Sequence, residues 1–255
     1  MIAFEGAGLP GFHRVLIWFN DPANWPGPDG LLTRIAEHAA YTAIIMAISV
    51  AIAIPLGTWM GHTGRGILLV GGLANAIRAV PTLGLLILLI VDLAPKINIT
   101  AGLGWILPPG SIPYLMPIII VLIILALPPI ITSTYAGIQG VDSAARDAAR
   151  GTGMTELQIA VRLEFPCALP LVFGGIRSAT LQVIATLTIA AYGPLVGGLG
   201  RIILDGQNRL TDLRYGYPAM VAAGLTIAAM AICADSILAL MQRLVVSPGV
   251  SGRPA

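Results

Sequence analysis

Charge is what this sequence has least of. Of its 255 residues, 14 are Lys or Arg and 12 are Asp or Glu, so 10% are charged. Soluble chains average about 25%. Disorder needs high charge and few apolar groups, and this chain is 56% hydrophobic. A formal net charge of +2 gives no basic field to neutralise phosphates, which excludes a nucleic-acid binder. A soluble enzyme of this length needs a more polar surface than so few charges supply. Cysteine is scarce as well. Cys167 and Cys233 make neither a disulfide framework nor a metal motif, and their apolar surroundings read as buried filler. His13, His38 and His62 have no ligand spacing. There is no Ser/His/Asp or paired-carboxylate arrangement for catalysis. The phosphate loop G-x-x-x-x-G-K-[ST] is missing too; the nearest glycine pair, Gly151 and Gly153, lacks the lysine. What remains is an integral membrane protein that is not an enzyme.

The charge-free stretches are long. Residues 38–64, 97–141, 178–200 and 215–234 contain no Asp, Glu, Lys or Arg. About 20 mostly apolar residues cross the hydrocarbon core as a helix. Gly and Pro inside such stretches are tolerated in lipid and suit close helix approach. A further stretch, 66–91, is interrupted by Arg78 and Pro81. It reads as one helix from which Arg78 snorkels and which Pro81 bends. The expectation is an all-α bundle of five membrane spans, near 38–61, 70–92, 113–137, 168–193 and 217–243. Five spans put the termini on opposite sides. Residues 1–30 read as an uncleaved interfacial segment outside the membrane, with Trp18 and Trp25 at the surface. Residues 31–246 form the transmembrane domain, and 247–255 a flexible tail. Seven cations against six on the two sides leave orientation undecided by charge.

The loop at 139–166 is the most structured polar piece. Asp142 or Ser143 caps a helix start, and the Ala-rich stretch to Arg150 favours helix. Asp142 with Arg146 and Asp147 with Arg150 stand at pairing distance on a helix. Gly151 and Gly153 stop that helix. Thr155-Glu-Leu-Gln158 is a capping box for a second short helix, which Pro166 is expected to stop. From spacing alone this is equally a salt-bridged linker.

These residues carry a resemblance. Asp147-Ala148-Ala149, then Gly153, then Leu163-Glu164-Phe165-Pro166 resembles the cytoplasmic "EAA" loop of ABC importer permeases, with Asp for Glu, Leu for Ile and Phe for Leu. Arg78-Ala-Val-Pro-Thr-Leu83, Tyr135-Ala-Gly-Ile138, Gly175-Ile-Arg177 and Gly197-Gly-Leu-Gly-Arg201 are similar to the glycine betaine/carnitine/choline/proline branch. The resemblance implies a type I (MetI-like) permease fold in a bacterial inner membrane. It implies a dimer with an identical or homologous second permease chain, an external solute-binding protein, and cytoplasmic ATPase subunits that bring ATP and Mg. It places the loop in the cytoplasm, the N-terminus outside and the C-terminus inside. It marks Asp147, Ala148, Ala149, Arg150, Gly153, Glu156 and Pro166 as ATPase-coupling residues, with Asp147, Arg150 and Glu156 available for docking salt bridges.

Asn75, Arg78, Pro81, Thr82, Gln182 and Thr186 are candidates for the translocation path or its gating. Arg78 equally braces the Pro81 bend or only snorkels, and for the polar four interhelical glue is the favoured role. Asp235 reads as the partner of an arginine. Residues 197–214, with alternating charges, are either a landing surface for the binding protein or a solvated loop. The same machinery for another small solute, such as an amino acid, stands as an alternative. An ion-coupled carrier or channel is the reading from a different class, and it lacks a visible inverted repeat.

Overall fold

The computed structural model describes residues 10–66, 72, 81–99, 109–212 and 215–247. Among them the secondary structure is helical throughout. In chain order the helices are α1 (Pro10–Asn20), α2 (Leu31–Thr63), α3 (Thr82–Leu93), α4 (Ile112–Gln139), α5 (Ser143–Gly151), α6 (Glu156–Leu187), α7 (Leu199–Asn208) and α8 (Gly216–Val245). Four of them, α2, α4, α6 and α8, are long and apolar enough to cross a membrane. The fifth expected span is described only as α3, which has 12 residues. Pro81 stands before α3 rather than inside a helix that it bends, and its carbonyl accepts from the Leu85 N–H. Proline is tolerated at a helix start because its missing N–H would have no intrahelical partner there. Asn75 and Arg78 lie outside the described residues.

The chain forms two compact units. The first takes the described residues within Met1–Thr42, Leu86–Ile118 and Ile184–Met230. Its core gathers Val15 and Trp18 of α1, Leu31 of α2, Leu199 and Ile202 of α7, and Ala219, Ala222 and Ala223 of α8. Trp18 is 4% exposed and packs into the core of this unit. The reason is local. Pro22 to Asn24 form a short 3-10 turn capped by Asp21, which turns the chain back after α1. The carbonyls left open at the end of α1 are then filled: Asn24 Nδ2 donates to Trp18 O at 2.8 Å, and Trp25 Nε1 to Phe19 O at 2.7 Å.

Helix α7 lies in the stretch weighed as a loop or landing surface. Leu199, Ile202 and Gly206 are buried, and Arg201 pairs outward with Asp205 at 3.5 Å. It is an amphipathic helix on the core of its unit. Two side chains of α2 hold the approach to it. Glu37, 3% exposed, accepts from the Gly198 N–H at 2.7 Å and from Arg34 Nη1 at 2.9 Å. The Leu199 N–H donates to His38 Nδ1 at 3.3 Å, which leaves the proton on Nε2 facing Ile184 O at 3.1 Å.

The second unit takes the described residues within Ala43–Leu85, Ile119–Val183 and Ala231–Ala255. Here α2 and α4 touch through glycine. A Cβ on Gly57 would sit 2.8 Å from Thr134 Cβ, and one on Gly61 2.6 Å from Ile138 Cβ. The two glycines are four apart on one helix face, the small-residue spacing that lets membrane helices approach closely. Ile138, Ala168 and Val172 form the core nearby, with Ile54, Phe165 and Ile176 against it. Asp235 of α8 pairs with Arg177 of α6 through two bonds of 2.7 Å, as the sequence suggested. Cys167 is half-buried, but Cys233 is exposed, not filler in a core. It falls on a helix whose apolar window is only 11% buried, so an apolar residue there faces outward.

Candidate functional site

The polar loop folds as a hairpin of two helices within the second unit. Asp142 caps α5 by accepting from the Ala144 N–H at 2.9 Å. The helix ends at Gly151, and the chain reverses on Gly153 at φ +86°. The Gly153 N–H donates to Arg150 O at 2.9 Å and the Met154 N–H to Ala149 O at 3.2 Å. These are the two bonds of the left-handed Schellman ending, whose reversal residue favours glycine. Nothing lies within 4 Å of a Cβ placed on Gly153, so conformation, and not space, selects glycine. Thr155 then opens α6 with a complete capping box: its hydroxyl accepts from the Gln158 N–H, and Gln158 Oε1 accepts from the Thr155 N–H.

Arg150 ties the two limbs together. Its Nε donates to Glu156 Oε1 at 2.9 Å, and its Nη1 to Asp147 Oδ1 at 3.2 Å. Both carboxylates raise the already high pKa of the guanidinium, chiefly through the Glu156 hydrogen bond. The three residues expected to be free for docking are therefore already paired with one another. Asp147, Ala148 and Glu156 remain exposed, and Ala149 is half-buried. The outer surface is small and polar on α5, while Leu157 of α6 presents an apolar side chain.

Two expectations fail at the base of the hairpin. Arg146 does not pair with Asp142. Its Nε lies 2.6 Å from Glu164 Oε1, and its Nη2 donates to Ile138 O at 2.6 Å. Pro166 does not stop the second helix. Residues Ala160–Glu164 form a π-helical turn that runs directly into Phe165–Leu187. Widening the helix there relieves the crowding that a proline imposes on the turn before it.

Glu164, 1% exposed, is a residue that spacing did not single out. His62 Nδ1 lies 2.8 Å from its Oε2, and His62 Nε2 lies 3.4 Å from Glu156 Oε2. Gln139 Nε2 donates to Gly61 O at 2.6 Å alongside. The only sequence signal for this cluster was a glutamate inside the Leu163-Glu164-Phe165-Pro166 motif. An apolar cavity of about 540 Å³ adjoins it, walled by Trp59, Leu157, Val161 and Phe165.

Thr82 starts α3; Gln182 and Thr186 are half-buried on α6 and make no side-chain hydrogen bond to another described residue. In the first unit a cavity of about 1000 Å³ is lined by Arg34, Glu37, Arg201, Asp205, Arg209 and Tyr215, among others. Arg209 stacks 5.0 Å over the Tyr215 ring.

Residues 53–247 match the family model described as binding-protein-dependent transport system inner membrane component. The glycine betaine/carnitine/choline transport system permease protein OpuCB of Bacillus subtilis is 29% identical over 87% of this chain and 91% of its own. The carnitine transport permease protein OpuCD of Listeria monocytogenes is 33% identical over 80% of each chain. A chain of the MetNI methionine ABC transporter, in an inward-facing crystal form, matches with a TM-score of 0.66 at 19% identity. That match covers 85% of this chain and 96% of the other, and it establishes a common fold. The chain belongs to the family of binding-protein-dependent inner membrane transport components.

Proposed function

We propose that this member of the family is the subunit through which an ATP-driven importer moves a compatible solute of the glycine betaine, choline, carnitine or proline type. Its curated relatives support the cargo: their names give glycine betaine, carnitine and choline. The rigid hairpin α5–α6 carries the machinery side of the reading. A coupling element must transmit force without bending, and this one is capped at both starts, locked at its reversal and bridged by Arg150.

The hairpin at 139–166 enters the groove of a cytoplasmic ATPase with Asp147, Ala148 and Ala149 foremost. Small side chains admit close contact, and the Asp147–Arg150–Glu156 network presents a fixed pattern of charge. Gly153 holds the reversal, and Pro166 continues the element into the membrane. ATP and Mg bind to the partner, since this sequence has no phosphate loop. The transmembrane domain at 31–246 then has its N-terminal segment outside and its C-terminal tail in the cytoplasm. An external binding protein delivers the solute toward the surface that bears α7, where Arg201, Asp205 and Arg209 alternate in sign. Two permease chains enclose the path, with Asn75, Arg78, Pro81, Thr82, Gln182 and Thr186 as candidates to line or gate it. Nucleotide and loaded binding protein bias the chain between two states.

The test is affinity purification of the tagged chain from its host membrane in gentle detergent, with mass spectrometry of what accompanies it. An ATPase that co-purifies with the wild type and is lost from Gly153→Asp supports the reading. A chain that purifies alone in both cases contradicts it.

A further inference from the structure

We propose that Glu164 is a positioning residue that carries displacement of the hairpin into α2, an inference that rests on the reading of the hairpin as the ATPase contact. In sequence, α2 is separated from the hairpin by α3 and α4. A push on α5 reaches α4 and α6 through the backbone, but it reaches α2 only through side chains. Within the second unit α2 meets α4 through Gly57, Gly61 and the Gln139–Gly61 bond, and it meets the hairpin through His62, which faces exposed Glu156 and buried Glu164. Glu164 Oε1 faces Arg146 of α5 at 2.6 Å, and Oε2 faces His62 in the last turn of α2 at 2.8 Å. Arg146 also holds the end of α4 through Ile138 O. A single carboxylate thus joins α2, α4, α5 and α6. A buried carboxylate is stable only while paired, so its partners must follow it when it moves. It also stands in a π-helical turn, a rare geometry that gathers at functional sites and offers a second hydrogen-bonding register.

The test uses the full chain in complex with its ATPase and binding protein, reconstituted in liposomes, with ATP hydrolysis and solute uptake measured together. Glu164→Gln keeps the size and removes the charge. The expected result is an assembled complex that still hydrolyses ATP, while solute moved per ATP falls about ten-fold, an ordinary coupling factor. Glu164→Asp keeps the charge but is too short to reach both partners, and it falls between. An unchanged ratio in Glu164→Gln overturns the proposal, as does a loss of hydrolysis and uptake in step. If Glu164→Gln does not assemble, His62→Ala is read instead: a reduced ratio supports the proposal and an unchanged one overturns it. A wild-type complex without ATP-driven uptake overturns the functional reading itself, and this inference with it.

Discussion

Arg150 reaches from α5 across the turn to Glu156 at the start of α6, donating from Nε at 2.9 Å and from Nη2 at 3.2 Å. The pair is exposed on both sides, and exposed pairs add little to folding stability. Its effect is on the angle between the two limbs of the hairpin. Arg150→Ala should therefore leave the thermal unfolding midpoint nearly unchanged and weaken retention of the ATPase on an affinity column. The difference from wild type should shrink at high salt, where surface pairs are screened. A large drop in the midpoint with full ATPase retention would count against this assignment.

Gly153 makes a graded prediction. Its φ of +86° is costly for a side chain, and the space around it is open. Gly153→Ala should cost about 1 kcal/mol from conformation alone. Gly153→Asn should cost less, because asparagine enters the left-handed region more readily. Gly153→Val should cost most. The order Asn, Ala, Val in loss of ATPase retention is the readout, and equal losses for all three would refute a conformational origin.

Gly61 makes the opposite case. A methyl there meets Ile138 Cβ at 2.6 Å. Overpacking of this kind costs about 1–3 kcal/mol. Gly61→Ala should lower the melting midpoint in detergent. The compensating Ile138→Ala should recover part of the loss in the double variant, whereas simple additivity would exclude a direct clash.

Trp18 tests whether the N-terminal segment belongs to the fold. Its burial against Leu31, Leu199 and Ala219 predicts a loss of about 3–5 kcal/mol in Trp18→Ala, read as a lower melting midpoint and faster proteolysis within 10–30. An interfacial aromatic would show little of either.

Arg177 and Asp235 join α6 to α8 through two bonds of 2.7 Å. Removing one partner strands a charge among apolar helices. Arg177→Leu and Asp235→Leu should each reduce the amount of folded chain recovered from membranes, and the double variant should recover part of it. Additive losses would show that the pair is not energetically coupled.

Sequence patterns revealed the parts of this molecule that obey local rules. Charge-free stretches marked α2, α4, α8 and the C-terminal third of α6, and single residues marked the hairpin's caps: Asp142, Gly153, Thr155 and Gln158. The family followed from the Asp147-Ala148-Ala149 spacing with Gly153. What escaped was set by contacts between residues far apart in the chain. Glu164 is unremarkable until folding brings His62 and Arg146 to it. Spacing assigns Glu37 and His38 no role, yet their partners include backbone groups at 184, 198 and 199. The packing of Trp18 is not visible in the sequence because a short apolar run beside Gly and Pro carries no record of the helices it meets. Pro166 looked like a stop because the π turn that accommodates it has no sequence signature. The Gly57 and Gly61 spacing is itself legible in the sequence.

The most direct measurement is uptake of labelled glycine betaine, choline and carnitine into liposomes that hold this chain with its ATPase, with the binding protein outside and ATP inside. The account predicts uptake of at least one of the three that requires ATP and the binding protein, and that Gly153→Asp abolishes. Uptake by the chain alone, driven by an ion gradient and indifferent to ATP, would contradict it.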